Sequence, residues 1–340
     1  MAVTLKTVAE RAGVTPTVVS RVLHNKALSI RVSEATAERV RQAAKDLNYR
    51  VNAAARGLRE RQTMSIGILH GVGFGRPRFD YGSRYFAQLM DGIVEGAFNH
   101  GYSVTLCPKL LGDDPTDALA DGRFDGLVWY STSPSEENHQ LLEKTSLPLV
   151  LIHSTGEDFG GRFPTVICDN YQGIGLALDH LQSLGHRRIG FAIVSEDSFG
   201  EGKIRHDAFV AQMLSRDLPV SERDIVDVNW DGAGFGRYLD DGIRHTAFLA
   251  VSDGAAGRMI ETAQSRGLNI PNDLSIVGFD STAYCNEFRP SITSVAQPLF
   301  KIGETAIDLL VKTIQQETVP DKHLVIPCGF DLRESTTSPP

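Results

Sequence analysis

Over the first fifty positions apolar residues recur at helical spacing, whereas beyond residue 64 they gather into short continuous runs separated by amphipathic stretches. Thr4 can cap a helix over Leu5–Ala12 that turns Leu5, Val8 and Ala9 inward, and Gly13 supplies the left-handed residue that ends it. Thr15-Pro16 is a second start signal, a hydroxyl acceptor followed by a ring whose φ is already helical. The helix that follows places Val19, Val22 and Leu23 on one face and Thr17, Ser20, Arg21 and His24 on the other. Ser33 can cap a third helix, where Val40, Ala43, Ala44 and Leu47 repeat at i, i+3, i+4, i+7. Three short helices, a tight turn and an exposed polar second helix predict a helix-turn-helix, with short polar and cationic side chains suited to base edges and phosphates in a major groove.

The body alternates strands and helices. Strands are predicted over 65–70, 103–107, 126–130, 149–153, 165–168, 189–194, 225–228, 247–251 and 275–279, and helices over 85–100, 171–184, 205–215 and 255–266. Near-continuous apolar strands alternating with helices argue for doubly wound parallel sheets, and this many strands suits two lobes. Ligands of such sheets bind beyond the carboxyl ends of the strands, which points to polar residues placed just after them.

Charge divides the chain in the same place. Residues 1–62 carry twelve basic and five acidic side chains, a net of +7, while the whole chain stands at −8. A basic head on an acidic body is the footprint of a polyanion-binding module attached to something else. No apolar run reaches the roughly 18 residues of a bilayer span, and Met1–Lys6 lacks the basic-then-apolar layout of a secretory leader. Cys107, Cys168, Cys285 and Cys328 are too scattered for a zinc site or a disulfide frame, which predicts reduced thiols in a cytoplasmic protein. No H-E-x-x-H, P-loop, G-x-S-x-G or S-x-x-K motif occurs, so no enzyme activity, cofactor, metal or catalytic residue is expected. The glycine-rich runs Gly71–Gly75 and Gly232–Gly236 lack the dinucleotide-binding spacing and read as loops.

Asn52–Arg61 has helix-compatible residues, but Gly57 costs about 1 kcal/mol in a helix interior. A segment this short, without a core of its own, is expected to order only when DNA and a partner copy hold it.

The residues Val8-Ala9-Glu10-Arg11-Ala12-Gly13-Val14-Thr15, Val19-Ser20-Arg21-Val22-Leu23, Leu47-Asn48-Tyr49 and Asn52-Ala53-Ala54-Ala55-Arg56-Gly57-Leu58 resemble the head of LacI-type (LacI/GalR family) bacterial transcription regulators. Further along, Cys168-Asp169-Asn170, Gly185-His186-Arg187-Arg188-Ile189, Ile276-Val277-Gly278-Phe279-Asp280, Pro290–Val295 with Gln297-Pro298, and a final strand and tail at Leu332–Thr336 resemble the body of the same family. The resemblance covers nearly the whole chain and implies an α/β fold: an all-α helix-turn-helix head and a two-lobed, periplasmic-binding-protein-like core of doubly wound parallel sheets. It implies a DNA-binding domain over 1–50, a hinge over 51–62 and an effector-binding and dimerisation core over 63–340. In that core, lobe 1 takes about 63–165 with 295–320, and lobe 2 about 166–294 with 321–335.

Carried over residue by residue, the family's DNA contacts fall on Leu5, Thr15, Pro16, Thr17, Ser20, Arg21, His24, Arg31, Ser33, Thr36, Tyr49, Asn52, Ala55, Leu58 and Arg59, with Leu58 as an apolar wedge in the minor groove. The effector contacts fall on Tyr85, Phe86, His153, Asp169, Arg205, Trp230, Ser252 and Asp280. An aromatic face, a forked cation and a carboxylate suit a polyol. His153 and Ser252 stand where many members have Asp and Asn, so a sugar and a nucleoside or purine both stay open as effectors. The implied partners are double-stranded operator DNA, a sugar-like small molecule and a second copy of the chain, with no membrane. A repressor bound to the nucleoid is expected, as a homodimer, because Ser338-Pro339-Pro340 is not preceded by a leucine-heptad tail. The alternative class is a small-molecule binding protein that does not touch DNA.

Overall fold

The computed structural model describes residues 3–24, 32–50, 62–70, 84–106, 122–130, 140, 142–194, 200–229 and 231–340. They fall into two units, Met1–Thr63 and Met64–Pro340. The predicted helix over 52–61 and the Gly71–Gly75 run lie outside the described residues.

The first unit holds α1 (Leu5–Ala12), α2 (Pro16–His24) and α3 (Glu34–Asp46). Thr4 accepts the Thr7 N–H at the start of α1, and Gly13 ends it at φ 65, its N–H reaching the carbonyls of Ala9 and Glu10. Ser33 accepts the Thr36 N–H at the head of α3. Val8, Ala9, Ala12, Val19, Val40, Ala43 and Ala44 form the core, with Leu5, Val22, Leu23, Leu47 and Tyr49 packed around it. The periodic positions read from the sequence are the ones that face inward.

The second unit carries two six-stranded sheets. The first runs in the order β11-β5-β4-β3-β1-β2, made of β1 (Ser65–His70), β2 (Ser103–Leu106), β3 (Gly126–Tyr130), β4 (Leu149–Ile152), β5 (Thr165–Cys168) and β11 (His323–Ile326). The second runs β12-β10-β9-β8-β6-β7, made of β6 (Ile189–Ile193), β7 (Ile225–Asp227), β8 (Ala247–Ala250), β9 (Ser275–Asp280), β10 (Thr293–Ala296) and β12 (Gly329–Asp331). Among the described residues every pairing is parallel except that of β10 with β12, which is antiparallel. α4 (Arg84–Asn99) and α9 (Leu299–Ile314) serve the first sheet, while α5 (Asn170–Ser183), α6 (Glu201–Ser215), α7 (Ala233–Asp240) and α8 (Asp253–Ser265) serve the second. Gly92 and Gly303 let α4 and α9 approach backbone to backbone: a Cβ at Gly92 would overlap the Phe300 carbonyl, and one at Gly303 that of Leu89.

Three features differ from the sequence reading. Lobe 1 keeps β5 and β11, because Ile152 pairs with Val166 and Cys168 with Ile326 in parallel register. The chain crosses between lobes after Cys168 and Ala296, at the expected boundaries of about 165 and 295, and after Ile326, later than the expected 320. Ala233–Gly236 opens α7 rather than forming a loop, and Gly232 sits just before it at φ 78. The last strand is Gly329–Asp331, ahead of the expected Leu332–Thr336. Those later residues run along lobe 2, where the Ser335 carbonyl accepts the Ile276 N–H at 2.9 Å and Thr337 O lies 2.8 Å from His186 Nε2.

Candidate functional site

In the head, Thr15, Pro16 and Thr17 are exposed at the start of α2, with Ser20 and Arg21 partly exposed one turn on. Val19, fully buried, anchors the opposite face, so the register of the core aims the polar stripe outward. The Thr15 carbonyl accepts from the Val18 and Val19 N–H groups. Ser33 and Thr36 are bonded to each other, hydroxyl to hydroxyl, at 2.9 Å. Leu5 and Tyr49 pack against the core. Arg31, Asn52, Ala55, Leu58 and Arg59 lie outside the described residues, as does the side chain of His24.

The strand ends of the second unit bring a charged cluster together. Arg205, one turn into α6, is 5% exposed. Its Nε donates to Asn170 Oδ1 at 2.9 Å, one Nη to Val251 O at 2.9 Å and Asp280 Oδ1 at 3.3 Å, and the other to Glu201 Oε2 and Gln297 Oε1, both at 3.2 Å. The guanidinium lies 3.8 Å from the centre of the Phe279 ring, so its flat face is covered too. From lobe 1, His153 Nδ1 reaches Glu201 Oε2 at 3.3 Å, and Tyr85 Oη lies 2.8 Å from His153 Nε2. Tyr130, at the end of β3, meets the His153 ring edge-on at 5.5 Å.

The backbone at these strand ends is unusual. His153 (φ 62), Asn229 (φ 55), Asp280 (φ 111) and Ser281 (φ 51) all take positive φ without being glycine. Such conformations are disfavoured and concentrate where a fold aims side chains at a common point. Behind Asp280, the buried Asp253 accepts from Ser294 Oγ at 2.6 Å, Thr282 N at 2.8 Å and Thr282 Oγ1 at 3.1 Å, which fixes the loop that follows β9. A cavity of about 400 Å³ opens at the ends of β6 and β8, lined by Ile193, Val194, Val251 and, from α6, Gly202, Lys203, His206 and Asp207. Its lining does not include Tyr85, His153, Glu201, Arg205 or Asp280.

One cation shared by two carboxylates sets the electrostatics. Burial pushes the Glu201 carboxyl up, but His153 and Arg205 outweigh it and hold it well below the ordinary carboxylate range. Burial raises Asp280 well above that range, Arg205 pulling against the rise while Asp253 and Glu201 add to it. Burial works against the Arg205 charge, but Asp280 and Glu201 more than restore it. Tyr85 is raised by burial and then by the nearby Glu201.

The cluster therefore gathers Tyr85, His153, Arg205 and Asp280 from the sequence-derived set. Phe86 instead packs into the lobe 1 core against Tyr130. Asp169 caps α5 by accepting the Gln172 N–H at 2.9 Å, and Ser252 caps α8 by accepting the Ala255 N–H at 3.3 Å. Trp230 lies outside the described residues. Glu201, Asn170, Gln297, Tyr130 and Asp253 join the site unannounced. The i, i+4 spacing of Glu201 and Arg205 marks a pair in the sequence but not its burial, and Asn170 and Gln297 lay inside family motifs. Among the described residues no group of three His, Cys, Asp or Glu could hold a metal, and no helix is long and apolar enough to cross a membrane.

Residues 4–52 match bacterial regulatory proteins of the lacI family, and residues 178–336 match the periplasmic binding protein-like domain. Catabolite control protein A of Priestia megaterium is 31% identical over 345 residues, covering 99% of this chain and all of that protein. The HTH-type transcriptional repressor PurR of Yersinia pestis (strain Pestoides F) is 32% identical over 324 residues, 92% of this chain and 90% of the repressor. In structure the chain resembles the lac repressor dimer bound to operator and the anti-inducer ONPF, with a TM-score of 0.79 and 23% identity over 99% of this chain and all of that one. It also resembles the transcriptional regulator CelR in complex with cellobiose, with a TM-score of 0.69 and 26% identity over 98% and 99% of the two chains.

Proposed function

This chain belongs to the LacI family of DNA-binding bacterial regulatory proteins, and from that premise we propose a cytoplasmic repressor whose grip on operator DNA is set by a sugar or sugar derivative bound between its two lobes. Two heads, one from each copy of a homodimer, place α2 in the major grooves of a near-palindromic site, with Thr17, Ser20 and Arg21 toward the bases and backbone. Thr15, Pro16, Ser33, Thr36 and Tyr49 position the head, and Leu58 wedges the minor groove at the centre. Tyr85 and His153 from lobe 1 and Arg205 and Asp280 from lobe 2 take the effector.

The observation that carries this reading is the meeting of side chains from both lobes on Glu201 and Arg205. A ligand that enters there changes the relative free energy of open and closed lobes, and any difference in DNA affinity between those states makes the two binding events reciprocal. The signal has to pass through residues 51–62, the covalent link between the units. Two relatives support the choice of ligand and sign: CelR carries cellobiose, and PurR is named a repressor.

The test is selection of duplexes from a random pool by the full-length chain, then mobility shift of the selected DNA against a panel of sugars and nucleosides. A sugar or sugar derivative should change the affinity, and Asp280→Ala should remove that response. Failure to retain any duplex, with or without ligands, would return the protein to the class of non-DNA binders.

A further inference from the structure

Arg205 has five N–H donors, and in this structure each has an acceptor within the protein: Asn170, Val251, Asp280, Glu201 and Gln297. The residue best suited to grip an effector is therefore already saturated. The acceptor that can leave is Glu201. Asn170, Asp280 and Gln297 are built into strand ends and crossings, and Val251 contributes its backbone. Glu201 is the first residue of α6, after Gly200, which offers no side-chain cap, so a single turn of helix can release it.

The surroundings of its carboxylate are those of an oxyanion site. Arg205 Nη2 and His153 Nδ1 reach Oε2 at 3.2 and 3.3 Å, and Gln297 Nε2 reaches it at 3.5 Å. Asn170 Nδ2 lies 3.4 Å from Oε1, and the start of α6 adds its own positive end. Arg205 and His153 are both more than nine-tenths buried. Removing Glu201 without replacing its charge leaves the buried Arg205 with Asp280 as its single ion-pair partner and takes from His153 the carboxylate it faces, an unfavourable change. A neutral hydroxyl makes that exchange poorly, whereas a carboxylate or phosphate swaps charge for charge and also takes over the link to His153 on the other lobe.

We propose that Glu201 is a built-in stand-in for the effector, and that the effector is a small acidic metabolite whose oxyanion exchanges with Glu201 between Arg205 and His153. This rests on the assignment of the cleft as the effector site and adds its chemical class. The exchange also gives the cleft a ligand-free closed state, with His153–Glu201 as the bridge between lobes.

Glu201→Ala keeps the Cβ and removes a fragment the size of acetate. In thermal unfolding of the full-length variant, sodium acetate should raise Tm over sodium chloride of equal ionic strength by about 2 °C or more, while the wild type shows no such difference. Should the alanine variant fail to fold, Glu201→Gln keeps the shape and weakens the internal competitor. It should bind glucuronate or glucose 6-phosphate, whichever the cleft prefers, at least tenfold more tightly than wild type by calorimetry, with glucose the weakest of the three probes on wild type. No acetate effect on a folded Glu201→Ala, or glucose binding wild type as tightly as its acidic counterparts, overturns the proposal. A neutral sugar that changes operator affinity would do so while leaving the effector cleft in place. Acetate rescue with no effect of any anion on DNA affinity would keep the oxyanion site and remove its regulatory role.

Discussion

Arg205→Lys preserves the charge at the centre of the cleft and removes its geometry. Lysine offers three donors where arginine offers five, so at least two of the five present acceptors lose their partner in a site that is 5% exposed. A buried polar group left unsatisfied costs about 1–3 kcal/mol, which puts the loss at about 2–6 kcal/mol for two. The stacking of the guanidinium on Phe279 is lost in addition. At about 2 °C per kcal/mol for a unit of this size, scanning calorimetry should show the core transition at least about 4 °C lower. The matched control is Arg258→Lys, whose pair with Glu261 at 2.7 Å is roughly half exposed on both sides. It should cost no more than about 0.5 kcal/mol. If the two variants melt alike, the guanidinium fork is not what holds the cleft, and the assignment of Arg205 as its organising residue is wrong.

Three further outcomes follow from the same structure. Gly92→Ala forces a methyl into the Phe300 carbonyl where α4 meets α9, so urea unfolding should show a loss of about 1–3 kcal/mol or more from overpacking; an unchanged midpoint would mean the helices separate freely. Arg21→Ala should weaken binding to a selected duplex by about 1–3 kcal/mol while ligand-induced thermal shifts stay as in wild type, and unaltered DNA affinity would take α2 out of the interface. Burial holds His180, His186 and His245 below their ordinary value of 6.5, so as pH falls through that value the unfolded chain binds protons that the native one refuses and stability drops. Tm should decline there, less steeply in His186→Asn, and a flat profile would contradict the burial of these rings as neutral groups.

The sequence showed the head almost completely because its rules are local: a capping threonine, a glycine that must turn left-handed, and a single apolar stripe. In the body, the central strands β3, β4, β6 and β8 were legible as apolar runs, since a strand covered on both faces has no polar side to interrupt it. β10 and β11 escaped the same logic. Thr293 and Ser294 are polar yet fully buried, the Thr293 hydroxyl accepting from the Arg333 N–H and the Ser294 hydroxyl donating to Asp253, and β11 alternates in exposure along a sheet edge. α9 is strongly amphipathic, but strand alternation alone gave no reason to expect a helix there. In the site, Arg205 and Asp280 follow from the family motif. Glu201 could not be seen as a site residue, because a Glu and an Arg one turn apart usually make a solvated pair. Only the packing of His153 from the other lobe turns that ordinary pair into a buried one.

The three crossings have a consequence for how the molecule is made. The first sheet receives its edge strand from His323–Ile326 and the second from Gly329–Asp331, so a ribosome must pass residue 326 before the first half has all its strands and residue 331 before the second does. Until then both halves present an unfinished rim of backbone donors and acceptors to the cell. A message cut short within that stretch would release a chain with two sticky margins rather than one good lobe, and quality control would see it as a single damaged object.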